Sequence, residues 1–209
     1  CGTQPYPEAE AIVLRRADEV RADFHALEES TDPATWGILS APPFTVENFH
    51  LAHTASRVLS IPIDPGRFVP PVLRGRFQVL RERPPVVIDA AHNADSARRL
   101  AEAIWTLYPA QRFTVVLGVV RGKDVEGILR ELSVLDAQFI LTNPRQPKES
   151  ALDMLRRCAA AADLPFRICP DITKTGQLGT AREAPLLFTG SFFTALIGME
   201  LFGKCERHG

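Results

Sequence analysis

The pattern of apolar and polar positions changes character near residue 72. Downstream, short apolar runs recur at 86–88, 113–117, 139–142, 166–169 and 186–189, each bounded by turn-forming residues, which is the signature of buried strands. Between the runs the spacing becomes helical. Ala97, Leu100, Ala101, Ile104 and Tyr108 form one apolar stripe, and Val125, Ile128, Leu129 and Leu132 form another. Five strands alternating with helices predict an α/β fold: a Rossmann-like, mostly parallel sheet with helices on both faces.

Upstream the rhythm is different. Short apolar stretches such as 11–14 and 36–39, separated by charged and turn-forming residues, predict short strands over 8–40. Thr45 is expected to cap a helix whose apolar face carries Val46, Phe49, Ala52, Ala55, Val58 and Leu59. Pro62, Pro65, Pro70 and Pro71, with Gly66, predict a connection without regular structure over 60–71. The expected organisation is an incomplete smaller lobe with its linker over 1–71, followed by the Rossmann-like lobe over 72–209.

Composition narrows the function classes. With 24 Lys and Arg against 25 Asp and Glu in 209 residues, the formal net charge of −1 gives no bulk attraction to nucleic acid or to an anionic membrane. No apolar run approaches the roughly 18 residues of a membrane span, so a cytoplasmic protein is expected. Cys1, Cys158, Cys169 and Cys205 lack metal-ligand spacing. His50 and His53 are one turn apart, but without nearby cysteines or acids they are expected on a packed or solvated helix face. The chain opens on Cys1, in a stretch that looks like the interior of a domain, and a fragment is expected.

The chemistry-bearing residues gather at the ends of the predicted strands. The run Val86-Val87-Ile88-Asp89-Ala90-Ala91-His92-Asn93 takes a strand through an aspartate and a histidine into a helix, at the sheet edge where open α/β folds bind ligands. Capping alone accounts for an Asp or Asn at such a turn. Yet Gly118 with Arg121-Gly122-Lys123-Asp124, Thr142-Asn143-Pro144-Arg145 and Thr189-Gly190-Ser191 deliver further polar turns to the same edge. Arg74-Gly75-Arg76-Phe77-Gln78 precedes the first of the five predicted strands. There is no Gly-x-Gly-x-x-Gly after the 86–88 run and no Gly-x-x-x-x-Gly-Lys-Ser/Thr, so dinucleotide and P-loop phosphate cradles are disfavoured.

Arg76-Phe77-Gln78, Val87-Ile88-Asp89-Ala90-Ala91-His92-Asn93, Lys123-Asp124 and Thr189-Gly190-Ser191, in this order and spacing, resemble the carboxyl-terminal part of folylpolyglutamate synthase and dihydrofolate synthase, of the Mur ligase superfamily. The resemblance covers about residues 36 to 203. It implies ATP-dependent amide ligation: a folate or dihydropteroate carboxylate becomes an acyl phosphate, the amino group of L-glutamate attacks, and phosphate leaves. It implies ATP and Mg2+ as cofactors, with the magnesium ligands, the phosphate loop and the folate pocket in an amino-terminal domain that would be this chain's partner. By the same resemblance Asn48, Arg76 and Asp89 contact ATP, and His92 is catalytic beside nucleotide and glutamate. Ser191 and Arg145 face the glutamate. Two departures are visible: Ala90 stands where the family usually has glycine, and the His-Gln pair often found before Asn48 is missing. A cell-wall precursor ligase and a non-catalytic nucleotide-binding module are the alternative readings.

Overall fold

The computed structural model describes residues 6–27, 32–38, 40–69, 71, 73–144, 150–173, 178 and 183–203. The chain divides into two compact units, Cys1–Pro71 and Val72–Gly209.

In the first unit the expected strands over 8–40 are replaced by a helix, α1 (Pro7–Glu19), and a 3-10 turn (Pro33–Trp36). The reason is local. Pro7 sits in the first turn, where its missing N–H costs nothing, and Glu8 and Glu10 lie at the positive end of the helix dipole. Arg16 pairs with Glu19 at 3.0 Å near the other end, over a segment rich in Ala, Glu and Arg. Ile12, Val13 and Leu14, the apolar run that suggested a strand, are exposed on this helix.

The second helix, α2 (Pro43–Val58), starts two residues before Thr45 because Pro43 is itself a favourable first helical residue. Its buried face also differs from the expected stripe. Phe49, His50, Thr54 and Ser56 are buried, while Ala52, Ala55, Val58 and Leu59 are exposed. Aromatic packing sets this orientation: Phe49 lies 4.9 Å from Trp36 and 5.2 Å from Phe68 between ring centroids, and the His53 ring stacks on Phe49. His50 and His53 therefore belong to a packed face, and no group of three metal-ligating residues occurs among the described residues. Within the 60–71 connection, Pro65–Arg67 form one 3-10 turn, with Asp64 accepting the Gly66 N–H at 2.9 Å.

The second unit is a six-stranded sheet with helices on both faces. Its strands are β1 (Gln78–Glu82), β2 (Pro85–Ile88), β3 (Phe113–Leu117), β4 (Ala137–Leu141), β5 (Phe166–Ile168) and β6 (Leu186–Thr189), in the spatial order β1-β2-β6-β3-β4-β5. β1 is antiparallel to β2 and every other pairing is parallel. Residues 86–88 are wholly buried, as befits a parallel strand covered on two sides, which is why the sequence shows a continuous apolar run there. Helices α3 (Ala94–Leu107), α4 (Val125–Leu132) and α5 (Leu152–Ala161) cover one face around Val87, Val115, Leu117 and Phe139. Helix α6 (Phe192–Phe202) covers the other, against Ile88 and Phe188. A Cβ on Gly198 would fall 2.6 Å from Ile88 Cγ2, so glycine lets α6 approach the sheet closely.

The sequence reading misses β1, so there are six strands rather than five, and 86–88 belongs to the second of them. Gln-Val-Leu-Arg-Glu is a half-buried edge segment with a bulge between Val79 and Arg81, and neither a clean alternation nor an apolar run marks it. No helix among the described residues is long and apolar enough to cross a membrane.

Candidate functional site

The site is built by the strand order. β6, the last strand in sequence, inserts between β2 and β3, so the turn after Asp89, the turn at Gly190 and the loop after Leu117 leave adjacent strands at one edge. Hydrogen bonds fix this arrangement: the Asp89 N–H donates to the Phe188 carbonyl, and the Gly118 N–H to that of Thr189.

Asp89 is only 6% exposed, and both carboxylate oxygens are engaged. Oδ2 accepts the Phe77 N–H at 2.8 Å and Oδ1 accepts the Ala91 N–H at 2.7 Å. A second tie runs from the Ala90 N–H to the Gly75 carbonyl at 2.8 Å. The turn that carries Arg76 is thus stapled to the end of β2, and the Arg76 side chain is exposed beside it. Burial holds the Asp89 carboxyl above its usual value of 3.8, offset in part by the bonds from Phe77 and Ala91 and by the nearby charges of Arg76 and His92.

The half-buried His92 ring places Nδ1 2.9 Å from the Ala90 carbonyl. A carbonyl only accepts, so Nδ1 carries a proton and Nε2 is the acceptor in the neutral ring. Asn93 caps α3 reciprocally with Ser96: the Ser96 N–H donates to Asn93 Oδ1 at 2.8 Å and Ser96 Oγ accepts the Asn93 N–H at 3.2 Å. Asp124 similarly caps α4 by accepting the Gly127 N–H at 2.9 Å, which gives that acid a structural task.

Ser191 caps α6 and is buried, its Oγ accepting the Thr194 N–H at 3.1 Å. Thr194 Oγ1 lies 2.8 Å from both Ser191 Oγ and the Gly118 carbonyl. Because Thr194 has one hydroxyl proton and the carbonyl requires it, Ser191 is the donor to Thr194. What Ser191 retains is an acceptor lone pair. Thr189, at the end of β6, has a buried Oγ1 without a partner.

Arg76, Asp89, His92 and Ser191 therefore sit on turns of this unit at or beside the ends of β2 and β6. Asn48 is exposed on α2 in the first unit, and Arg145 lies outside the described residues. The residues that sequence reasoning missed are Phe77, whose N–H completes the hold on Asp89, and Thr194, which orients the Ser191 hydroxyl. Helical spacing from Ser191 could have pointed to Thr194 as a cap partner; Phe77 lay inside the Arg76-Phe77-Gln78 motif, but no residue type marks a main-chain N–H as the donor to Asp89. A cavity of about 250 Å³ on the α3–α4 flank, lined by Arg98, Glu102, Trp105 and Glu131, contains none of these residues.

The Asp89 environment predicts a pH dependence. Its native carboxyl binds a proton at higher pH than in the unfolded chain, so its contribution to stability is present below about 3.8 and is lost as pH rises through the raised value. Urea titrations of the native chain and of Asp89→Asn should show native stability, relative to the variant, falling across that window and level above it. A native advantage that grows with pH across the window contradicts this assignment.

A family model described as Mur ligase, glutamate ligase domain, matches residues 75–191. A dihydrofolate synthase/folylpolyglutamate synthase of Escherichia coli K12 is 39% identical over 142 residues, 66% of this chain and 32% of that protein. The chain spans 20–36% of the length of four curated relatives bearing that name. Among solved structures, a Mycobacterium tuberculosis folylpolyglutamate synthase complexed with ADP superposes with a TM-score of 0.78 at 20% identity, over 97% of this chain and 54% of that one, a likeness of fold. A bifunctional folylpolyglutamate synthase/dihydrofolate synthase of Yersinia pestis, complexed with AMPPNP and Mn, gives 0.60 at 25% identity over 74% of this chain and 39% of that one.

Proposed function

We propose, for a chain that belongs to the Mur ligase glutamate ligase domain family, that it is the carboxyl-terminal part of an ATP-dependent ligase joining L-glutamate to a folate or dihydropteroate carboxylate. The boundary at residue 72 then separates central-domain and linker residues from those of the carboxyl-terminal domain. The observation that carries this reading is the convergence of Arg76, Asp89, His92 and Ser191 at one sheet edge, inside the stretch that the family model matches.

Arg76 and Asp89 form the nucleotide side of the site. An exposed guanidinium suits phosphate oxygens by charge and by its paired N–H geometry. His92, with Nδ1 held by the Ala90 carbonyl, turns its acceptor nitrogen to the reacting groups. Ser191 faces the glutamate, and its remaining acceptor capacity suits the attacking amino group better than a carboxylate. Arg145 is the candidate for a glutamate carboxylate, and Asn48, on the first unit, for a nucleotide contact. Mg2+, which would neutralise phosphate charge, is assigned in this reading to residues of an amino-terminal domain, as the resemblance implies.

The test joins this chain to the amino-terminal region of the Escherichia coli relative and supplies ATP, magnesium, labelled L-glutamate and either dihydropteroate or a reduced folate. Glutamate is incorporated with release of ADP, alanine and diaminopimelate are not incorporated, and the chain by itself does not turn over. Incorporation of diaminopimelate or alanine in place of glutamate, or none at all from a joined protein that is folded, overturns the reading.

A further inference from the structure

We propose that the cavity on the α3–α4 flank, which the ligase chemistry leaves unused, is a docking site for an arginine side chain of a partner polypeptide. Arg98, Ala101, Glu102 and Trp105 line it from one stripe of α3, at positions i, i+3, i+4 and i+7, while Glu131 of α4 and Val134 just beyond it complete the lining. Its apolar members face water. Trp105 is 67% exposed and Val134 59% exposed, and because both line one concavity they form a patch rather than scattered surface residues.

The charges of the lining decide what that patch accepts. Arg98 is committed, with Nη2 3.0 Å from Asp95 and Nη1 2.6 Å from Glu102. Glu131 is not. Its side chain is only 25% exposed, yet its one ion pair among the described residues joins Oε1 to the Nε of exposed Arg130 at a long 3.4 Å, which leaves Oε2 without a described partner. Two acids against one base therefore give the lining a negative balance beside an exposed indole.

A guanidinium answers both features, because it is planar and permanently charged, stacks on an indole by cation–π attraction and offers a carboxylate paired N–H donors. Its apolar stem can lie along Val134. At about 250 Å³ the cavity is smaller than the roughly 300–1,000 Å³ clefts that take small-molecule ligands, and it suits one long side chain presented by a polypeptide.

The experiment titrates the isotopically labelled 209-residue chain with a blocked Gly-Arg-Gly peptide, and in parallel with its lysine and citrulline counterparts. The Trp105 indole N–H and the amides of 98–105 and 131–134 should shift saturably with the arginine peptide, at about millimolar affinity, the scale of one stacked and paired cation. The lysine peptide should bind more weakly and the uncharged citrulline peptide not at all, while the indole of Trp36, buried in the first unit, stays unmoved. Trp105→Ala and Glu131→Gln should each weaken the arginine peptide about tenfold. Both should keep native urea midpoints, because neither change empties a buried core position. Shifts that do not saturate, equal binding of the citrulline peptide, or unchanged affinity in either variant overturns the proposal. So does sedimentation showing a dimer of the native chain that Trp105→Ala dissociates, because a second copy then covers this surface.

Discussion

Gly190→Ala is expected to cost the second unit about 3 kcal/mol, from backbone strain and overpacking together. Gly190 has φ +96°, and a Cβ there would lie 2.7 Å from Leu117 Cδ1 and 2.8 Å from the Gly118 carbonyl oxygen. A flexible side-chain end can yield, but that carbonyl belongs to the main chain at the end of β3, beside β6, and has no room to retreat. Gly122→Ala is the control, because its φ of +86° carries the strain while no atom lies within 4 Å of a Cβ. It should cost about 1 kcal/mol. Urea midpoints of the two variants separate crowding from strain, and equal losses would contradict this account of the β6 turn.

Arg76→Ala in the joined protein is expected to lower kcat/KM for ATP about 100-fold, equivalent to about 2.7 kcal/mol of transition-state stabilisation. The side chain is exposed, so its loss should change folding stability by no more than about 0.5 kcal/mol. That contrast between activity and stability distinguishes a phosphate contact from a structural arginine. Lysine at the position should recover only part of the activity, because a point charge replaces a paired donor geometry. Steady-state kinetics at saturating glutamate, set beside urea midpoints, provide the comparison.

The inner parallel strands were legible from sequence because burial on two faces writes itself as a largely apolar run, whereas β5, at the edge, carries the exposed Arg167 and Ile168. β3 and β6 occupy the expected residues, while β4 starts two residues before its apolar run and β5 ends one residue before the expected limit. What one-sided or edge elements leave in a sequence is weaker. β1 alternates poorly and carries a bulge, and the apolar run of α1 faces outward on a helix held by local charge pairs. In α2 the rings of Trp36 and Phe68, remote or beyond the helix in sequence, choose the buried face, so helical periodicity found Val46 and Phe49 but misplaced Ala52, Ala55, Val58 and Leu59.

The site follows the same division. Asp89, His92 and Ser191 stood out because strand ends and helix caps have local signatures. Their adjacency depends on β6 inserting between β2 and β3, a strand order that no local pattern encodes. The hold of Phe77 on Asp89 spans 12 residues and uses a main-chain N–H, which has no residue-type signature at all.

The central claim is that the edge shared by β2 and β6 is where nucleotide binds. Titrating the isotopically labelled chain with ATP and following backbone amide shifts tests it most directly. Residues 75–77 and 89–93 should shift together and saturably, with the amino-edge ends of the strands unmoved. Saturable shifts confined to the α3–α4 flank, or anywhere other than this edge, would contradict it.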